Sequence, residues 1–215
     1  MAHARVDILS PNDFQKTGEV KTIYQAWESG DWVGTFNLWV VHSNNGIDSL
    51  LYQQRCFTAA WGPGLLDVAA GGHYDAGEPI EEGLREVREE LGKDYAFSDL
   101  HYLGKKLYLR DQADRKLRYA VDVFITIDNS PLTSFTLQRD ELEGLYACPI
   151  EDLIRVHTEH DYTFTARGVK FSGDELVHAS VEVSKSIFPF NWDNYHFKMA
   201  LIARRFLNGE PHLLY

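Results

Sequence analysis

The chain has 215 residues, 44% of them hydrophobic and 13% aromatic, enough for the packed core of one sizeable domain. Its formal net charge of −11 argues against a nucleic-acid backbone or an anionic membrane as partner, because both repel a negative surface. A small phosphorylated ligand stays open, since a bound cation reverses the local field.

The N-terminus, M-A-H-A-R-V-D-I-L, has no long apolar run and predicts no signal peptide. No stretch approaches the roughly 18 apolar residues of a membrane span. Residues 4–9 and 20–28 read as extended, either side of a turn-rich piece around Pro11 and Gly18. Residues 32–42, rich in β-branched and aromatic side chains, predict a strand. A turn at Asn44–Gly46 leads into a returning strand over 49–56. Gly62, Pro63 and Gly64 mark a loop, and 65–72 reads as a short buried strand running into glycines. A helix is predicted over 79–91. A strand pair follows at 100–110 and 116–127, around the polar turn D-Q-A-D. Residues 143–148 predict a strand, and 150–156 a short helix after Pro149. The segment 157–187 has no clear pattern. A last helix spans about 192–208, with Tyr195, Met199, Ile202 and Phe206 at helical spacing and Gly209 and Pro211 to stop it.

Many strands with few helices between them predict an α/β (α+β) fold with a mixed β-sheet. Without a visible linker, 1–215 reads as a single domain. The two cysteines, Cys56 and Cys148, form no C-x-x-C pair, so neither a disulfide framework nor a thiolate zinc site is expected. Together these features point to a reducing, cytoplasmic compartment.

The segment that carries chemistry is G-G-H-Y-D-A-G-E-P-I-E-E-G-L-R-E-V-R-E-E-L-G, residues 71–92. Turned at about 100° per residue, a helix here places Ile80, Leu84, Val87 and Leu91 on one stripe. Glu82, Glu86, Glu89 and Glu90 fall on the opposite face. Like charges at i,i+4 cost about 0.2–0.5 kcal/mol per pair in an isolated helix. A hard cation would offset this, and Mg2+ or Mn2+ suits carboxylate ligands plus substrate phosphates. The glutamates alone fit a solvated acidic face better than a metal site. Gly71 and Gly72, after an apolar strand, add a close backbone approach to whatever the helix binds.

The same segment resembles the signature of the Nudix hydrolases: glycine, five residues, glutamate, seven residues, arginine-glutamate, then a glutamate pair and glycine. Gly72, Glu78, Arg85, Glu86, Glu89, Glu90 and Gly92 match in type and order. Only six residues separate Glu78 from Arg85. The resemblance implies a Nudix fold, a mixed sheet sandwiched between helices, with N- and C-terminal extensions to a core of about 20–156. It implies Mg2+-dependent cleavage of a diphosphate linkage in a small molecule, a nucleoside diphosphate joined to another group. Glu86 and Glu90 would be the main metal ligands, with Glu89 holding a further ion or its water and Glu82 a bystander. The carbonyl of Ala70 or Gly71 would complete the shell. Arg85 would pair with Glu78 and orient the helix face. Glu86, or a glutamate of the later loop 139–144 (Glu141 or Glu143), would act as base. Arg55, His73 and Glu143 are candidates for substrate contact, and Lys105, Arg110 and Arg118 are further cations within possible reach of phosphate.

The wider chain resembles the branch that includes isopentenyl-diphosphate isomerase. That enzyme's cysteine is missing from Asp67–His73, and its glutamate pair from Leu117–Asp122. Cys56 reads as a small core residue. Hydrolase, isomerase and catalytically silent binding module are therefore the three functions to separate. The N-terminal strands and the C-terminal helix, about 190–208, shape either the substrate pocket or a homodimer interface.

Overall fold

The computed structural model describes residues 4–112, 115–189 and 192–215. Part of the D-Q-A-D turn (113 and 114), the first three residues and positions 190–191 of the C-terminal extension lie outside the described residues.

Strands β1 (Arg5–Leu9) and β2 (Lys16–Thr22) pair antiparallel. Gly18 lies inside β2 with φ of +88°, and so within a strand rather than in a turn. The expected extended run over 20–28 is broken at Thr22. Helix α1 (Ile23–Ser29) starts there, because Thr22 and Gln25 form a reciprocal capping box that closes the first turn.

Next come β3 (Trp32–Asn44) and β4 (Ile47–Arg55), joined at Asn45–Gly46, where both residues have positive φ. β3 is buried along nearly its whole length, the mark of a central strand covered on both faces. The short strand expected over 65–72 is two strands. β5 (Leu66–Val68) pairs with β4, and β6 (Ala70–His73) pairs with β3. The sheet therefore parts between β3 and β4, and buried Ala69 carries the chain across. Gly71 and Gly72 sit at this parting.

Helix α2 (Leu84–Leu91) precedes β7 (His101–Asp111) and β8 (Lys116–Ile127), which form an antiparallel pair. β8 lies parallel to β3 while the other pairings are antiparallel, so the sheet is mixed as expected. β9 (Leu142–Pro149) joins β4, and α3 (Ile150–Thr158) follows Pro149. The unpatterned segment 157–187 contains a hairpin, β10 (Phe164–Ser172) and β11 (Glu175–Val183), which extends the sheet beyond β9. Helix α4 (Tyr195–Leu207) closes the fold.

Two cores flank the sheet. On one face Leu84, Val87 and Leu91 of α2 pack against Phe36, Leu38, Val40 and Phe124. On the other, Leu153 of α3 and Met199 of α4 pack against Trp39, Tyr52, Val123 and Ile125. The sheet is thus sandwiched between helices.

Candidate metal-binding site at the acidic helix

The helix expected over 79–91 forms in two pieces. Pro79 is extended, residues Ile80–Gly83 make a single tight 3-10 turn, and only Leu84–Leu91 is α-helical. Gly83 sits at the change of pitch and packs tightly there: a β-carbon on it would meet the Phe36 ring at 2.2 Å. The helix ends at Gly92 in the left-handed region (φ +61°), where glycine carries no steric penalty. One consequence concerns Glu82, the glutamate ranked last on the acidic face. Glu82 lies in the 3-10 turn, half-exposed and 3.7 Å from Arg88, and takes no part in the site.

Glu86 and Glu90 lie one turn apart on α2 and turn toward the two glycines of β6. The amide N–H of Gly71 donates to Glu90 Oε2 at 3.0 Å. A β-carbon on Gly72 would sit 2.3 Å from the Glu86 carboxyl carbon, so only glycine admits this approach. Glu90 is 4% exposed. Burial drives its carboxyl well above the usual carboxylate range; the Gly71 N–H pulls it down, and the charges of Glu86 and Glu141 push it further up. Glu86 is raised to about 7, by burial first, with Arg85 opposing and Glu89 and Glu141 adding to the rise.

Arg85 ties the signature together. Its Nε donates to Glu78 Oε1 at 3.1 Å, its Nη1 to Glu89 Oε2 at 3.1 Å and its Nη2 to the His73 carbonyl at 3.1 Å. Glu86 Oε1 lies a further 3.1 Å from Nη2. Burial alone would weaken this guanidinium's charge, but its carboxylate partners, Glu78 foremost, hold it firmly protonated. The Glu78–Arg85 pair forms despite the shortened spacing.

Of the two loop glutamates, the structure brings in Glu141. Its charge acts on both Glu86 and Glu90, and its carbonyl accepts from the Cys56 N–H at 2.8 Å. The same loop caps α2, with the N–H groups of Thr136 and Gln138 donating to the carbonyls of Leu91 and Glu90 at 3.0 Å each. Glu143, the candidate for substrate contact, is already in β9, and its charge acts on Tyr146 instead.

Among the described residues no three acidic, histidine or cysteine side chains converge as a finished metal cage. Glu89 is turned onto Arg85 instead. The donors nevertheless fit a hard divalent cation. They are all carboxylates, Glu90 is buried and Glu86 partly buried with their negative charge only partly balanced, and the backbone beside them has been cleared of side chains.

The NUDIX domain profile matches residues 35–168, more than half of the chain. The chain belongs to the Nudix family. An uncharacterized Nudix hydrolase from Clostridium acetobutylicum is 33% identical over 138 residues, 63% of this chain and 66% of that one. A second, from Shigella flexneri, is 31% identical over 139 residues, 64% of each chain. Nudix hydrolase 3 of Arabidopsis thaliana is 28% identical over 71% of this chain but only 20% of its own length. The chain thus aligns with less than two thirds, or just under, of these relatives' lengths. A crystal structure from Deinococcus radiodurans superposes with a TM-score of 0.52 at 21% identity, covering 73% of this chain and 90% of that one, which supports the shared fold.

The remaining candidates sort by their place in this Nudix fold. Arg55 ends β4 near the site, and its charge acts on Glu90. It is held by the Trp61 carbonyl at 2.9 Å, and its guanidinium lies 5.1 Å from the Trp61 ring, a partner that nothing in the sequence pattern marked. His73 contributes its carbonyl to Arg85, but its ring does not face the glutamates. Successive strand residues point to opposite faces, so with Gly72 under Glu86 the His73 ring lies on the far face. There it stands edge-on to Tyr119, with centroids 5.1 Å apart. Lys105 pairs with Asp122 at 2.6 Å and Arg118 with Asp111 at 2.6 Å, so both charges are engaged within the sheet. Arg110 lines a cleft of about 680 Å³ along β7, together with Lys106 and Trp192. Cys56 is only partly buried, its Sγ 3.3 Å from the Asp140 carbonyl, and so is not the core residue expected. No helix among the described residues is long and apolar enough to cross a membrane.

Proposed function

We propose that this chain hydrolyses a diphosphate linkage, in a nucleoside diphosphate joined to another group, with Mg2+ or Mn2+ held by Glu86 and Glu90. The observation that carries this reading is the placement of one buried and one partly buried carboxylate, Glu90 and Glu86, against Gly71 and Gly72, beside an arginine locked in position by Glu78. Buried like charges at one spot are costly without a cation. The glycines keep the space in front of them free for a phosphate.

A bound cation would polarise a phosphoryl oxygen and lower the pKa of the attacking water. Arg85 fixes the rotamers of Glu86 and Glu89, so the donors keep one geometry through turnover. Glu141, whose charge reaches both ligands, takes the proton from the attacking water. Arg55 lies near enough for its charge to favour the ionised form of Glu90 and to meet a substrate phosphate.

The test is a screen with Mg2+ of nucleotide sugars, dinucleotides, nucleoside triphosphates, coenzyme A and isopentenyl diphosphate, with product identification. A monophosphate product lost in Glu86→Gln and Glu90→Gln, both still folded, supports the hydrolase. Unchanged activity in both variants overturns it. Turnover of isopentenyl diphosphate without phosphate release favours the isomerase, and tight binding without any turnover favours a silent binding module.

A further inference from the structure

The loop that carries Glu78 is held from outside the matched family region. β1, β2 and α1 all precede residue 35, where that match begins. Yet three successive residues of the loop make backbone bonds to this N-terminal unit. The Ala76 N–H donates to the Arg5 carbonyl at 2.7 Å, and the Gly77 N–H donates to Asp7 Oδ2 at 2.8 Å. The ammonium of Lys16 donates to the Glu78 carbonyl at 2.8 Å. Lys16 is also 2.8 Å from Asp7 Oδ2, so one ion pair grips the loop from both sides.

At its start the loop is anchored by Tyr74, whose N–H donates to the Gly34 carbonyl at 3.3 Å and whose ring packs on the α2 core. Residues 74–79 form no helix or strand, and Gly77 has φ of +90° with open space around its α-carbon. Within the loop, Glu78 Oε2 accepts from the Asp75 N–H at 2.7 Å while Oε1 accepts from Arg85. Asp7 is the buried half of the clamp, its side chain 15% exposed against 47% for Lys16. A line of direct contacts therefore runs from Lys16 and Asp7, through the backbone and side chain of Glu78, to Arg85, and from Arg85 to Glu86 and Glu89.

We propose that Asp7 and Lys16 are positioning residues of the acidic site. They hold the Glu78 loop at the height that lets Arg85 orient Glu86 and Glu89. The N-terminal hairpin is then a working part of the site. The shortened spacing between Glu78 and Arg85 gives this a purpose. With one residue fewer between them, the loop has less slack to find Arg85 unaided, and an external clamp fixes it.

The inference rests on the hydrolase reading, and its test separates the two. Lys16→Met, Lys16→Arg and Asp7→Ala are compared with wild type for kcat, KM, Mn2+ affinity by electron paramagnetic resonance, and melting temperature. Thr22→Ala is the control, because it weakens the same N-terminal unit through the α1 cap without touching the loop. Lys16→Met and Asp7→Ala are expected to lower kcat about tenfold with KM little changed, since small misplacements remote from the chemistry act on the reacting geometry. Both should weaken Mn2+ binding severalfold, and Lys16→Arg should restore most of each loss. Values of kcat and Mn2+ affinity within twofold of wild type in both variants overturn the clamp. So does an equal loss of kcat in Thr22→Ala at matched melting temperature. If wild type hydrolyses no diphosphate, the hydrolase reading fails, and Mn2+ affinity alone decides the clamp: weaker in both variants supports it, unchanged overturns it.

Discussion

Glu86 lies directly over Gly72, so close that a β-carbon on Gly72 would fall 2.3 Å from the carboxyl carbon. The neighbour it would strike is the far end of a flexible side chain. Gly72→Ala is therefore expected to swing Glu86 aside and leave the fold standing. Diphosphate hydrolysis should fall on the order of 100-fold, the scale of a displacement of about 1 Å at a reacting centre. The melting temperature should move little. Steady-state kinetics beside a thermal melt checks this, and a large loss of stability with normal activity in the folded fraction would contradict it.

Much of this relationship was legible before any coordinates. The order of Gly72, Glu78, Arg85, Glu86 and Glu90 marked the segment, and a helix of 3.6 residues per turn places Glu86 and Glu90 together. The central strands were legible too, from their β-branched and aromatic runs. What could not be read was set by pairing and by local geometry. The 3-10 turn over Ile80–Gly83 took the place of the first helical turn, where Gly83 packs against Phe36, a contact between residues far apart in sequence. Residues 23–29 became helical through a capping box that ends one strand and begins a helix within a single residue. The His73 ring went to the far face because Gly72 took the near one. Lys16 and Asp7 carry no motif at all: their role comes from where the N-terminal hairpin docks.

Gly83 makes a sharp contrast with Gly72. Its missing β-carbon would meet the Phe36 ring at 2.2 Å, and Phe36 is fully buried between α2 and the sheet. That ring has nowhere to go. Gly83→Ala should cost roughly 1–3 kcal/mol, the usual range for overpacking a core. The loss should appear as a lower urea midpoint with an unchanged slope. A variant as stable as wild type would mean that the 3-10 turn moves easily, and that its position is not set by this contact.

Glu90→Gln separates stability from function. The glutamine keeps an oxygen to accept the Gly71 N–H while removing a buried carboxylate whose ionisation burial opposes. Buried charges without a full partner destabilise the folded state. In EDTA at pH 8 the variant should therefore melt at or above the wild-type temperature. Added Mn2+ should raise the melting temperature of wild type and leave the variant nearly unmoved, since only the protein that binds the ion gains from it. Equal Mn2+ stabilisation of both proteins would remove Glu90 from the ligand set.

Acid lability gives a test remote from the glutamates. His157 lies on α3, its ring 5.5 Å from that of Phe188, and its Nε2 is shut off from solvent without a hydrogen-bond partner. Burial first, and then the Lys185 charge, lower its pKa from the usual 6.5 to about 4. The folded state thus resists a proton that the unfolded chain accepts. The stability this ring contributes is complete above pH 6.5 and drains away as pH falls toward 4. Buried His73, at about 4, and His196, at about 3, act in the same direction. Glu86 works against them, because its raised carboxyl makes the metal-free fold more stable as pH falls from about 7. His157→Gln removes one histidine from this balance and leaves the acidic site untouched. Between pH 7.5 and 5, wild type should lose more melting temperature than the variant, by about 2–4 °C once solvent screening of a half-buried ring is allowed for. Parallel curves would show that His157 takes up its proton as readily in the folded state as in the unfolded chain, and that the acid lability belongs to other groups.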